Sequence, residues 1–192
     1  IGLMLALFTR VAMLAGLSWM IGLTEPLFTV AGYGISGRNL ILSAGGLFLM
    51  AKSTTEIHSK VSGNAEENAD NKSTAKNAFA MIIGQIVLLD IIFSFDSILT
   101  AIGMSRDLPV MIAAVIISII IMMIFATKIS NFVNSHPTLQ VLALSFLVLI
   151  GFMLLAEGLP FEDIHVPKGY IYFAVFFSLA IEILNIRMRK NK

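Results

Sequence analysis

The chain has 192 residues, 57% hydrophobic and 13% charged, with a mean hydropathy of +0.90. Soluble domains average about 45–50% apolar and about 25% charged, so this is the composition of a polytopic membrane protein. A net charge of +1 gives nucleic-acid binding no electrostatic support, and the absence of cysteine excludes disulfides and thiolate metal sites. Any metal must therefore be held by oxygen ligands, His or Met.

A spanning helix takes about 20 mainly apolar residues. Six helices are predicted, over residues 3–23, 39–53, 79–104, 108–127, 139–156 and 170–186. The expected fold class is all-α: one transmembrane domain over 1–192, a helix bundle with the lipid bilayer as its main partner. The first helix is interrupted by Arg10. The second has a short apolar core around Gly45-Gly46, and its ends can reach Ile35 and Ile57. Residues 59–76 are polar, without apolar periodicity, and read as a cytoplasmic loop and solvated linker. Pro26, Pro109, Pro137 and Pro167 fall at helix starts or in connections, where a missing donor is tolerated. The start, Ile1-Gly-Leu-Met4, lies inside an apolar run with no basic region before it. It does not read as a signal peptide, and the expectation is that the natural chain begins further upstream.

The basic residues divide unevenly between the two sides. Lys52, Lys60, Lys72, Lys76, Lys128, Arg187, Arg189, Lys190 and Lys192 fall on one, while Arg38, Arg106 and Lys168 fall on the other. The positive-inside rule places the richer side, with the C-terminus, in the cytoplasm.

The third helix carries the chemistry. Its stretch 84–103 is apolar enough to cross a bilayer, yet holds Asp90 and Asp96 away from its ends. An ionisable residue at a membrane-helix centre costs about 2.5–3.5 kcal/mol on insertion scales. Gln85, Ser94, Ser97 and Thr100 surround the two carboxylates, and the set reads as an ion site or polar pathway. On an ideal helix, six residues turn through about 600°, placing Asp90 and Asp96 about 120° and 9 Å apart. Asp90, Ser94 and Ser97 share one face; Gln85, Asp96 and Thr100 share another. Two arrangements remain open. In the favoured one the helix unwinds around Phe93-Ser94-Phe95 and carbonyls join the site. In the other, Asp96 faces the site and Asp90 relays protons or pairs elsewhere. Oxygen donors of this kind suit hard cations such as Mn²⁺, Mg²⁺ and Ca²⁺ without choosing among them. The bland reading of the pair is helix–helix hydrogen bonding or pairing with Arg10.

Other polar groups carry less. Arg10 is read as snorkelling or pairing with a carboxylate. Glu182 and Asn185, one turn apart, form either an exit site or a cap on the bundle. Glu56 and His58 read as an interfacial solvated pair, and His136 and His165 as surface residues. The eleven Met residues show no regular spacing and read as packing.

A repeat is visible between Gly46-Leu-Phe-Leu-Met-Ala-Lys52 and Gly151-Phe-Met-Leu-Leu-Ala-Glu157, each a Gly, four large apolar residues, Ala and a charge. Helices one and four run in opposite directions in the assigned topology. The expectation is an inverted 3+3 repeat plus one helix, seven in all, with an opening acidic helix before Ile1.

Leu89-Asp-Ile-Ile-Phe-Ser-Phe-Asp-Ser97 resembles the second acidic motif of TerC-type integral membrane proteins. The tracts Arg38-Asn-Leu-Ile-Leu, Glu56-Ile-His58, His136-Pro137 and Leu142-Ala-Leu-Ser-Phe-Leu147 fit that family too. So do His165-Val-Pro-Lys-Gly-Tyr-Ile-Tyr-Phe-Ala174 and Glu182-Ile-Leu-Asn185. The resemblance covers nearly the whole chain, but the first acidic motif, a Glu with an Asp-Asn pair, has no counterpart. It implies a LysE-like transporter of seven helices in a bacterial inner membrane, exporting a metal ion, Mn²⁺ first, with no resident cofactor. Proton exchange at Asp90 and Asp96 and a homo-oligomer are compatible with it. The alternatives are a non-transporting scaffold or tellurite-linked resistance protein and, remotely, an intramembrane aspartyl protease. The protease needs its carboxylates on separate helices and a Gly-x-Gly-Asp, which this chain lacks. The protein is therefore not expected to be an enzyme.

Overall fold

The computed structural model describes residues 5, 8, 9, 11–13, 16, 21–30, 32–62, 75–104, 107–160 and 167–190. Helical residues occur within the first expected span, where Thr9 donates to Leu5 O at 2.9 Å. Arg10, His165 and most of the 59–76 loop lie outside the described residues.

A two-stranded hairpin follows, where the sequence reading expects only a connection. Strand β1 covers Pro26–Val30 and β2 covers Tyr33–Ser36, antiparallel, with an irregularity between Pro26 and Phe28. The cause is local. Phe28, Thr29, Val30, Tyr33 and Ile35 are aromatic or β-branched and suit a pleated strand. Gly32, at φ 89°, supplies a turn conformation that a side chain disfavours.

Helix α1 runs Gly37–Val61. Ser36 caps it: Asn39 N donates to Ser36 Oγ at 3.2 Å, and Ser36 N donates back to Asn39 Oδ1 at 3.3 Å. This reciprocal pair satisfies two of the orphan donors at the helix start. At the other end α1 continues eight residues past Ser53. Hydropathy alone misses this polar extension. The Lys52–Glu56 pair at 3.4 Å and the basic His58 and Lys60 in the last turn suit a helix C-terminus.

Helix α2 covers Ala75–Met104 and is helical through Phe93, Ser94 and Phe95. The break favoured on sequence is therefore corrected: the backbone bonds of α2 stay within the helix. Helices α3 (Leu108–Asn134), α4 (Pro137–Gly158) and α5 (Lys168–Lys190) follow, with Pro109 and Pro137 in the first turns of α3 and α4. Among the described residues, Pro109–Asn134, Pro137–Gly158 and Lys168–Met188 are long and apolar enough to cross a membrane.

Helices α1 and α4 form the tightest pair, packed antiparallel along their length. A β-carbon on Gly46 would sit 2.5 Å from Gly151 O, and one on Gly151 would sit 2.9 Å from Gly46 O. The contacts are reciprocal: Gly46 meets Leu155, while Gly151 meets Met50, the residue four beyond Gly46. Only small residues allow backbones this close in a membrane. Polar ties close both ends. Asn39 Nδ2 donates to Gly158 O at 3.1 Å beside the Arg38–Glu157 pair at 3.6 Å, and Lys60 donates to Gln140 Oε1 at 2.6 Å. Helix α2 lies against this pair, with Ile92 2.8 Å from where a Gly45 β-carbon would stand. Leu42, Leu49, Ile92, Phe95, Ile98, Met111 and Leu154 form the core.

Candidate functional site

Helix α2 sets the site. Ile92, Phe95 and Ile98 turn one side of it into the core, and Ser94 is carried in with them, only 4% exposed. A buried serine in a helix usually bonds the carbonyl four residues back. The Ser94 hydroxyl instead has no hydrogen-bond partner among the described residues. Leaving such a group unsatisfied costs about 1–3 kcal/mol, so a ligand that accepts or donates there recovers that loss. Asp90 lies four residues earlier, one turn away and about 40° round the helix. It is half-buried, with Oδ2 withdrawn from solvent. A carboxylate and a hydroxyl thus stand together on the interior side of α2.

The other expected members divide. Ser97 is exposed and turns back on its own helix, donating to Phe93 O at 2.8 Å, so it does not join Ser94 inside. Gln85 is half-buried and lines a separate cavity of about 500 Å³ between α1, α2 and α4, shared with Ser53, Glu56, Lys60, Leu89 and Gln140. Leu89, which lines that cavity, is the chain neighbour of Asp90, and Asp90 itself is not among the lining residues. Asp96 and Thr100 are on the α2 backbone, but their side chains lie outside the described residues. Glu182 and Asn185 engage each other on α5, Asn185 Nδ2 donating to Glu182 Oε2 at 3.4 Å. Among the described residues no group of three or more His, Asp or Glu is clustered as a metal site.

Sequence reasoning missed two features. Arg38 pairs with Glu157, whose side chain is 7% exposed, although the two are far apart in the chain. Nothing in the sequence marks that pair beyond the charge that ends the Gly151 motif. The second is an apolar cavity of about 620 Å³ between Thr9, Met13, Gly45, Phe48, Leu88 and Ile91. Its lining leaves no polar signal to read. His136 is tied to the end of α3: its Nδ1 lies 2.8 Å from Phe132 O, and its ring packs against Phe132 at 4.8 Å.

The family model described as "Integral membrane protein TerC family" matches residues 1–192. The chain is 51% identical over 190 residues to a UPF0053 protein of Haemophilus influenzae, covering 99% of this chain and 78% of that protein. It is 50% identical to the UPF0053 inner membrane protein YgdQ of Escherichia coli K12, covering all of this chain and 78% of that one. It is 46% identical to the UPF0053 inner membrane protein YoaE of the same organism, but spans only 36% of its length. No solved structure matches. With membrane-length helices and matches over the whole sequence, the chain belongs to the TerC family of integral membrane proteins.

Proposed function

We propose that the protein exports a divalent metal cation, Mn²⁺ first, across the bacterial inner membrane through a polar site on α2. The observation that carries this reading is a half-buried Asp90 one turn from the buried Ser94, whose hydroxyl has no hydrogen-bond partner among the described residues, on an unbroken helix. A carboxylate kept inside a membrane protein marks an ion or proton path by default. Carboxylate and hydroxyl oxygens are the donors a hard cation takes. Asp96 and Thr100, further along α2, are assigned to the same path, and the Gln85 cavity is its cytoplasmic approach. The bundle is oriented with Lys60 and the C-terminal basic cluster in the cytoplasm, by the positive-inside rule. The inner-membrane names of the YgdQ and YoaE relatives agree with that location. The protein acts as a transporter, not an enzyme, in exchange for protons bound at the two aspartates. The test is uptake of radiolabelled Mn²⁺ into inverted vesicles by the full-length protein. Asp90→Asn and Asp96→Asn should each abolish it and remove manganese tolerance in cells. Wild-type uptake and tolerance in both variants would refute the assignment.

A further inference from the structure

The hairpin β1–β2 has two unlike faces. In its register Phe28 pairs with Ile35, Val30 with Tyr33, and Thr29 with Gly34. Cross-strand partners share a face, and alternate residues of a strand share it too. Phe28, Val30, Tyr33 and Ile35 therefore form one continuous apolar face, and Thr29 and Gly34 lie on the other; Leu27, 61% exposed, sits at the register irregularity between Pro26 and Phe28 and belongs to neither regular set. Three of the four apolar side chains are open: Phe28 is 48% exposed, Val30 53% and Tyr33 41%. A lone two-stranded hairpin is marginal in water and needs a partner for its apolar face.

Its level in the molecule says what that partner is. Strand β2 runs directly into α1 through the Ser36 cap. Two residues on, Arg38 meets Glu157 and Asn39 bonds Gly158 O, at the last residues of the membrane-length helix α4. The hairpin therefore leaves the bundle where a membrane-length helix ends, the level at which a spanning α4 would meet the headgroups. Leu40 and Leu47, seven residues apart on α1, are both about half exposed and continue the apolar surface down the helix toward the bilayer. Aromatic residues with an apolar body and a polar tip, such as Tyr33, concentrate at that depth.

We infer that the hairpin Pro26–Ser36 is an interfacial membrane anchor, whose Phe28–Val30–Tyr33–Ile35 face lies in the outer-leaflet headgroup region while the Thr29–Gly34 face meets water. The partner is the lipid surface. Anchoring there fixes the start of α1, and so the end of the α1–α4 pair that Asn39 ties together.

The experiment uses the full-length protein in phosphatidylethanolamine–phosphatidylglycerol vesicles, with Trp19 and any other tryptophan replaced by Phe. Single tryptophans are then introduced as Phe28→Trp, Tyr33→Trp and Thr29→Trp. The first two should emit to the blue and be quenched at least about twofold by lipids brominated high on the acyl chain. Thr29→Trp should be quenched by aqueous iodide instead. Phe28→Trp and Tyr33→Trp report the same face independently, so one that fails to fold leaves the other to decide. Iodide quenching of both, without a bromolipid response, overturns the inference by placing the face in water. Blue emission insensitive to both quenchers overturns it in favour of a second copy or another protein segment covering the hairpin.

Discussion

Gly46→Ala tests the packing that organises the bundle. The new β-carbon would stand 2.5 Å from Gly151 O and 2.6 Å from Leu155 N, whereas ordinary contact begins at 3.4 Å. Both obstacles are backbone, so no side chain can swing away. The helices must part by 3.4 − 2.5, or about 0.9 Å, at their crossing. Over-packing of this kind costs about 1–3 kcal/mol. Parting also stretches the 3.1 Å Asn39–Gly158 bond past hydrogen-bond range, a further loss of about 1 kcal/mol. Against these stands the better helix propensity of Ala, about 1 kcal/mol. The net expectation is a loss of about 1–3 kcal/mol, read as the shift in an SDS-titration unfolding midpoint in mixed micelles. Gly84→Ala is the control. A β-carbon there meets nothing within 4 Å, so only the propensity gain remains and stability should hold or rise. If Gly46→Ala unfolds within about 0.5 kcal/mol of Gly84→Ala, the close crossing is not a determinant of the fold.

Three other substitutions separate structural from functional roles. Ser94→Ala removes a buried hydroxyl that has no partner among the described residues, so thermal stability should hold or rise while Mn²⁺ transport falls; lower stability with full transport would make Ser94 a packing residue. Arg38→Met strands the buried Glu157 carboxylate and should cost up to about 3 kcal/mol, the low end for a buried pair because Arg38 is 28% exposed, with Arg38→Met/Glu157→Leu recovering most of it; equal losses in the single and double variants would show that the pair carries no coupling. Glu182→Gln keeps an acceptor for Asn185 on the α5 surface and should leave transport unchanged, so impaired export would bring α5 into the path.

Hydropathy locates the later helices because a bilayer demands long apolar runs, and α3, α4 and α5 are such runs. It fails where other forces set the boundary. The end of α1 is held by the Lys52–Glu56 pair and by basic residues in its last turn, not by apolarity. The hairpin is specified by alternation over nine residues around Gly32, too short to register against the helical background. At the site, Asp90 and Ser94 are legible because polar groups inside an apolar run need a reason. Ser97 looks equivalent by periodicity, yet it satisfies itself on Phe93 O and stays outside. A 3.6-residue period gives a direction, not a depth. Depth comes from neighbours such as Gly45 facing Ile92, and these are long-range facts.

On the proposed transport reading, the continuity of α2 also limits how the two aspartates can share the work. In an unwound segment both could close on one ion. On an unbroken helix, positions 90 and 96 are about 9 Å apart along the axis and about 120° apart around it. Carboxylate oxygens bind divalent cations at about 2.0–2.6 Å, so a single ion cannot be shared between two positions so disposed on one rigid helix. On that reading the aspartates then serve successive stations, one binding the cation and the other receiving it onward, each exchanging it for protons. Equilibrium Mn²⁺ binding by the purified full-length protein distinguishes the cases. With successive stations, one of Asp90→Asn and Asp96→Asn should weaken binding at least tenfold, about 1.4 kcal/mol, while the other leaves it within about threefold yet still stops transport. Ser94→Ala should weaken binding only if Asp90 is the binding station, because Ser94 stands one turn from Asp90 on the same side of α2. Equal and complete loss of binding in both aspartate variants would mean one shared shell. That would require α2 to open between Asp90 and Asp96 when the cation binds.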